Sequence, residues 1–178
     1  MRALVLVGML MATVASQAAT ITLYLKGSGV VPQQVEAAAM VEVSRIFSGI
    51  GVQLTWTHSE PAPGAIAISV GFSDSVPARV HPGAIAFSTP FAGKWSAITV
   101  LYDRLAFIVL DRPGLAPHLL AYALAHEIGH VLMRTDVHRT SGLMKSHWTT
   151  HDFDEMVRCQ LSFTRLDVEM IMEGLRRR

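Results

Sequence analysis

The chain has 178 residues, 51% of them hydrophobic and 16% charged, and its formal net charge is +1. That balance argues against a nucleic-acid-binding surface or a polybasic membrane anchor, and a single cysteine excludes an intrachain disulfide. The length suffices for one domain with a substantial core.

Residues 1–19 read as a secretory signal peptide. Arg2 supplies the positive start, Ala3 to Val14 the apolar stretch, and Ala15-Ser16-Gln17-Ala18 a small-residue cleavage site. The apolar run is shorter than the ~20 residues a transmembrane helix needs. The expectation is a secreted or periplasmic protein with no stable membrane insertion, folded as a single domain over residues 20–178. In an oxidising compartment without a partner thiol, Cys159 reads as a small buried hydrophobe.

Thr20 to Leu25 alternates apolar and polar residues, as a strand does, and Gly27-Ser28-Gly29 ends it. Pro32 opens a helix reaching Phe47, with Val35, Ala38, Ala39, Val43 and Ile46 at helical spacing and Gly49 and Gly51 as the stop. Val52 to Thr57 alternates again. A loop with Pro61, Pro63 and Gly64 leads to a third strand, Ala65 to Phe72, rich in β-branched residues. A short apolar piece, Ala84 to Phe87, precedes a turn around Pro90 and Gly93. A further strand, Ala97 to Tyr102, runs into Leu105 to Leu110, too short an apolar run for periodicity to assign as strand or helix. Asp111-Arg112-Pro113-Gly114 breaks the chain. A long apolar helix is expected from Pro117 to Met133, with Leu119, Leu120, Leu124 and Ile128 facing the core. Beyond it, Arg134 to Thr140 turns polar, Ser141-Gly142-Leu143-Met144 forms a turn, and Thr164 with Asp167 caps a closing helix from Phe163 to Arg177.

Inside the long helix lies His126-Glu127-Ile128-Gly129-His130. Helix positions i and i+4 share a face, so two imidazoles can close on one ion while the carboxylate stays beside it. A catalytic zinc site takes three protein ligands and leaves a fourth position open. Downstream, Asp136, His138 and Glu155 are the candidates for the third.

The motif and the residues after it resemble the metzincin clan of zinc endopeptidases, whose pattern is His-Glu-x-x-His-x-x-Gly-x-x-His, or Asp at the last place in the snapalysin-like branch, with a methionine turn beyond. Here the stretch runs from His126 to His138, and the turn is Gly142-Leu143-Met144. The strand and helix order before the motif fits more loosely. Two departures stand out. Met133 replaces the glycine that lets the clan's chain turn sharply, and literal spacing puts Asp136 at the third-ligand place, with His138 two residues later. A looser turn needs extra residues and imidazole is the commoner zinc ligand, so His138 is preferred and Asp136 is the alternative. The segment is also similar to compact secreted bacterial proteins with this longer spacing.

The resemblance implies an α+β fold: a mixed, twisted sheet with a backing helix and an active-site helix in an upper part (20–133), then a small irregular lower part (134–178) with the methionine turn and a closing helix. It implies one catalytic zinc ion, Glu127 as general acid and base, and Met144 as an apolar floor beneath the metal. It also implies an edge strand above the motif helix that pairs with an extended peptide or protein substrate. Gly83, Ala84, Ile85, Ala86 and Phe87 are placed there, with His147 and Trp148 lining the cleft. Gly129 is given a packing role only. Two other readings stay open: a metal-binding module without turnover, and a gluzincin-like enzyme in which Glu155 is the third ligand. The acids Asp152, Asp154 and Glu155 also suit a plain helix start.

Overall fold

A computed structural model describes residues 19–27, 29–62, 66–73, 77–78, 80–89 and 96–177. Nearly all of the signal segment, Pro63, Gly64, Ala65 and the turn around Pro90 and Gly93 lie outside the described residues.

Five strands, β1 (Ala19–Lys26), β2 (Val52–Thr57), β3 (Ala67–Phe72), β4 (Ala86–Thr89) and β5 (Ser96–Val100), form one sheet in the order β2-β1-β3-β5-β4. The first three and β5 run parallel, and β4 is antiparallel to β5 at one edge. Alternation fixes the register: Ile21, Leu23 and Leu25 of β1 are buried while Thr22 and Tyr24 are only half-buried, so one face carries the core. A one-residue slip would exchange these sets.

Two helices pack on each other against this sheet, α1 (Gln33–Ser48) beside β2 and α3 (Ala116–Met133) beside β4 and β5. In α1 the inward residues are Ala39, Val43, Ile46 and Phe47; Ala38, expected to face the core, is exposed. Leu119, Leu120, Leu124 and Ile128 of α3 are buried as their spacing predicts, but so is nearly every other residue of the helix. A helix apolar on all sides belongs at the centre of a molecule. Here α3 is enclosed by the sheet, by α1, by the short helix α2 (Tyr102–Ile108), and by α4 (Thr150–Val157) and α5 (Arg165–Arg176). The ambiguous run Leu105 to Leu110 lies mostly in α2, where Leu105 is buried while Phe107 and Leu110 face solvent. No helix among the described residues is long and apolar enough to cross a membrane.

The acids Asp152, Asp154 and Glu155 all belong to α4, but only Asp152 stands in its first turn. Asp152 closes a capping box with Thr149 and meets Lys145 at 2.6 Å, Asp154 meets Arg112 at 2.9 Å, and Glu155 faces His151 at 3.6 Å. The Thr164–Asp167 box of α5 also forms, although α5 starts two residues later than expected. Gly174 of α5 lies so close to α3 that an added methyl would collide with the Leu132 carbonyl.

Candidate metal centre and cleft

The positions of the histidines are set by how α3 ends. Met133 occupies the glycine place of the resemblance and stays helical; the next residue, Arg134, takes the left-handed conformation at φ 56° and turns the chain. For a residue with a Cβ that conformation costs roughly 1–2 kcal/mol. The Thr135 amide returns to the His130 carbonyl at 3.3 Å, and the Thr135 carbonyl in turn accepts from His130 Nδ1 at 2.8 Å. Moving the turn one residue along brings His138 to the histidine pair. Asp136 is exposed on the rim of the cleft and outside the cluster of His126, His130 and His138. Arg139 anchors this stretch through a 2.9 Å ion pair to the fully buried Asp167.

Glycine and methionine fix the floor. A Cβ on Gly129 would stand 2.9 Å from Met144 Sδ and 3.1 Å from Phe163, so the bare backbone of α3 is what lets the methionine turn close beneath it. Met144 is fully buried, and Gly142 enters the turn at φ 72°. The Leu143 carbonyl accepts two bonds, from His126 Nδ1 at 3.0 Å and from the Trp148 indole at 3.2 Å. The turn therefore orients a ligand as well as packing under it.

These bonds fix proton positions. A carbonyl can only accept, so His126 and His130 carry their protons on Nδ1, and both Nε2 atoms present lone pairs. Yet His126 Nε2 and His130 Nε2 face each other at 2.9 Å, with His138 Nε2 at 3.3 Å from His130 Nε2. Two bare lone pairs at that separation repel unless a cation lies between them. Ligand nitrogens around a tetrahedral zinc stand about 3.3 Å apart, given Zn–N bonds of ~2.0–2.1 Å. The donor set fits zinc. Burial lowers all three imidazole pKa values, that of His126 to about 3, and keeps them neutral as ligands must be.

Glu127 is buried and shares the cleft with the three histidines. Burial raises its carboxyl to about 7, against a hydrogen bond from Ser88 that pulls the other way. The cleft has a volume of about 700 Å³, within the ~300–1,000 Å³ of small-molecule sites. Gly83 to Phe87 lie along one wall as expected, but the strand itself is Ala86–Thr89, so Gly83, Ala84 and Ile85 belong to the approach loop. The Leu101 amide donates to the Ile85 carbonyl at 2.8 Å, in register with the β4–β5 ladder, and Arg104 holds the Ala84 carbonyl at 2.9 Å. His147 and Trp148 also line the cleft, the Trp148 ring edge-on to His126 at 5.5 Å.

Several participants carry no signal in the sequence. Ser88, the Thr135 and Leu143 carbonyls and the Arg139–Asp167 pair follow no recognisable spacing. His81, which the sequence places in a loop, lines the cleft against His147 with ring centroids 5.6 Å apart. His151 and Glu155 face each other on α4, outside the metal cluster, so the geometry gives the gluzincin-like arrangement no ligand. Cys159 is exposed rather than buried, because a left-handed turn at φ 56° after α4 carries it out of the core.

No protein-family profile matches the sequence, and no curated protein does. Among solved structures the chain is similar to archaemetzincin from Methanopyrus kandleri, at 13% identity and a TM-score of 0.58, over 91% of this chain and 98% of that one. The mixed sheet, the backing helix and the motif helix therefore share the fold of archaemetzincin, a metzincin-like fold.

Proposed function

We propose that the protein is a secreted zinc-dependent metallopeptidase that hydrolyses peptide bonds. One observation carries this reading: two imidazoles, locked by backbone carbonyls, and a third converge their Nε2 atoms beside the buried, uncompensated carboxyl of Glu127 in an open cleft. A site built only to stabilise a fold fills its fourth ligand place with protein and has no use for such a carboxylate.

His126, His130 and His138 would hold the ion. Zinc, when bound, supplies Lewis acidity that polarises a scissile carbonyl and acidifies a water molecule to near neutrality. Glu127 would accept a proton on a carboxylate oxygen and hand it to the departing amine. A carboxyl raised to about 7 is matched to both halves of that transfer. Ser88 holds the carboxylate in place. The antiparallel strand β4 ends the sheet, and its outer edge is suited to an extended peptide or protein substrate by strand addition, backbone bonds giving affinity and wall side chains the preference.

The test is digestion of a peptide library by purified protein after chelation and again after zinc is restored. Cleavage that disappears with the metal and returns with it is the expected result. Zinc bound stoichiometrically with no peptide cut would identify a binding module instead.

A further inference from the structure

A second group of ligand-type side chains lies away from the cleft, where α1, the first turn of α3 and the end of α4 meet. Glu42 of α1 is buried, with one carboxylate oxygen 2.7 Å from His118 Nδ1 and the other 3.5 Å from Cys159 Sγ. All three ligand atoms lie within 4.8 Å of one another. Arg45 stands 3.9 Å from the same carboxylate and is half-exposed, so it can swing away into solvent.

The second observation is Tyr122, one helical turn after His118 and on the same face of α3. It is fully buried, and among the described residues its hydroxyl has no hydrogen-bond partner of good geometry. Glu42 and Cys159 act on that hydroxyl electrostatically and the Arg45 guanidinium interacts with it weakly from the solvent side, so the hydroxyl looks into this cluster. Leaving a buried hydroxyl unpaired costs about 1–3 kcal/mol.

We infer that Glu42, His118 and Cys159 form a second divalent-metal site, of the zinc class, clamping α1, α3 and α4 together. Thiolate, imidazole and carboxylate together suit a tetrahedral ion of borderline softness. Ligands at ~2.3 Å for sulfur and ~2.0–2.2 Å for nitrogen and oxygen stand roughly 3.3–3.6 Å apart. The Cys159–Glu42 separation of 3.5 Å already meets this, and His118 needs to retreat by about half an ångström from its 2.7 Å contact. On binding, Cys159 loses its thiol proton to solvent and the sulfur lone pair forms the metal bond. A water at the fourth position gives Tyr122 its missing partner. The trio does not suit a nucleophilic cysteine, because burial and the neighbouring carboxylate push the Cys159 thiol up, opposite to activation.

Cobalt(II) titration of the reduced, metal-free protein tests this, because Cys159 is the one cysteine in the chain and the cleft cluster contains no sulfur. Wild type should bind two ions and develop a sulfur-to-cobalt charge-transfer band. That band should vanish in Cys159→Ser, weaken at least tenfold in apparent affinity in His118→Ala and Glu42→Gln, and persist in the His126→Ala/His130→Ala double variant, since even outer partners of a metal site carry 10- to 100-fold effects. Absence of the band in wild type, or undiminished affinity in both His118→Ala and Glu42→Gln, would reduce the cluster to an ordinary His–Glu ion pair. Both single variants lie at the surface end of the cluster or keep its shape, so a folding failure in one leaves the other decisive.

Discussion

Helix α3 carries histidines of both clusters, and the two are assembled in opposite ways. His126 and His130 sit four residues apart on one face, and a short excursion past Arg134 adds His138. Glu42, His118 and Cys159 come from three separate elements, Glu42 lying 76 residues from one partner and 117 from the other. The first opens on a cleft beside the buried carboxyl of Glu127; the second runs from buried Glu42 out to exposed Cys159 at the meeting of three helices, its carboxylate already shared by imidazole and thiol. Local spacing builds the cluster in the cleft, and topology builds the other.

His138→Ala should break the contrast most severely, removing the ion from the cleft and with it all cleavage. Asp136→Ala should retain both, as metal content and peptide turnover will show. Retention of zinc in His138→Ala with loss in Asp136→Ala would reverse the assignment.

The next effect depends on pH. In the metal-free protein Glu127 has a folded pKa of about 7 against 4.5 for the free group, so the folded state binds the extra proton between those values and stability falls as pH rises through them. Glu127→Gln, neutral at every pH, should therefore unfold at higher denaturant than wild type at pH 8, by up to about 3 kcal/mol, and match it below about pH 4.5. The histidines act in the opposite direction. Their folded pKa values are lowered, so unfolding takes up protons and stability is lost as pH falls from about 6.5 toward 3. Urea titrations across this range check both signs.

Gly129→Ala should cost about 1–3 kcal/mol, since its methyl must displace Met144 or Phe163. It should also weaken zinc binding, because Met144 and the Leu143 carbonyl that orients His126 share one turn. Smallest is Arg134→Gly, which relieves a left-handed residue and should raise stability by about 1 kcal/mol with no loss of zinc.

The site is legible in the sequence wherever ligands follow a helical period. The pair on α3, its carboxylate and the methionine turn can all be read from residues 126–144. The choice of His138 over Asp136 can be read from the missing glycine, because a displaced turn needs a longer return. The hidden remainder depends on backbone groups and on distance along the chain. The carbonyls of Thr135 and Leu143 have no sequence signature, and Ser88 reaches Glu127 only because β4 lies against α3. Strand boundaries shift for a similar reason: Ala84 is apolar enough for a strand, but its carbonyl is taken by the Arg104 side chain instead of a strand neighbour. Cys159 departs from expectation because a single thiol suggests burial, while a left-handed turn after α4 puts it beside Glu42.

The central claim is that this cleft performs peptide hydrolysis with Glu127 as its proton carrier. Zinc-loaded wild type and Glu127→Gln should be compared on the same peptide library, with metal content measured in each sample. The account predicts equal zinc in both and a 100- to 10,000-fold loss of cleavage in the variant. Cleavage undiminished in Glu127→Gln at equal zinc content would contradict it.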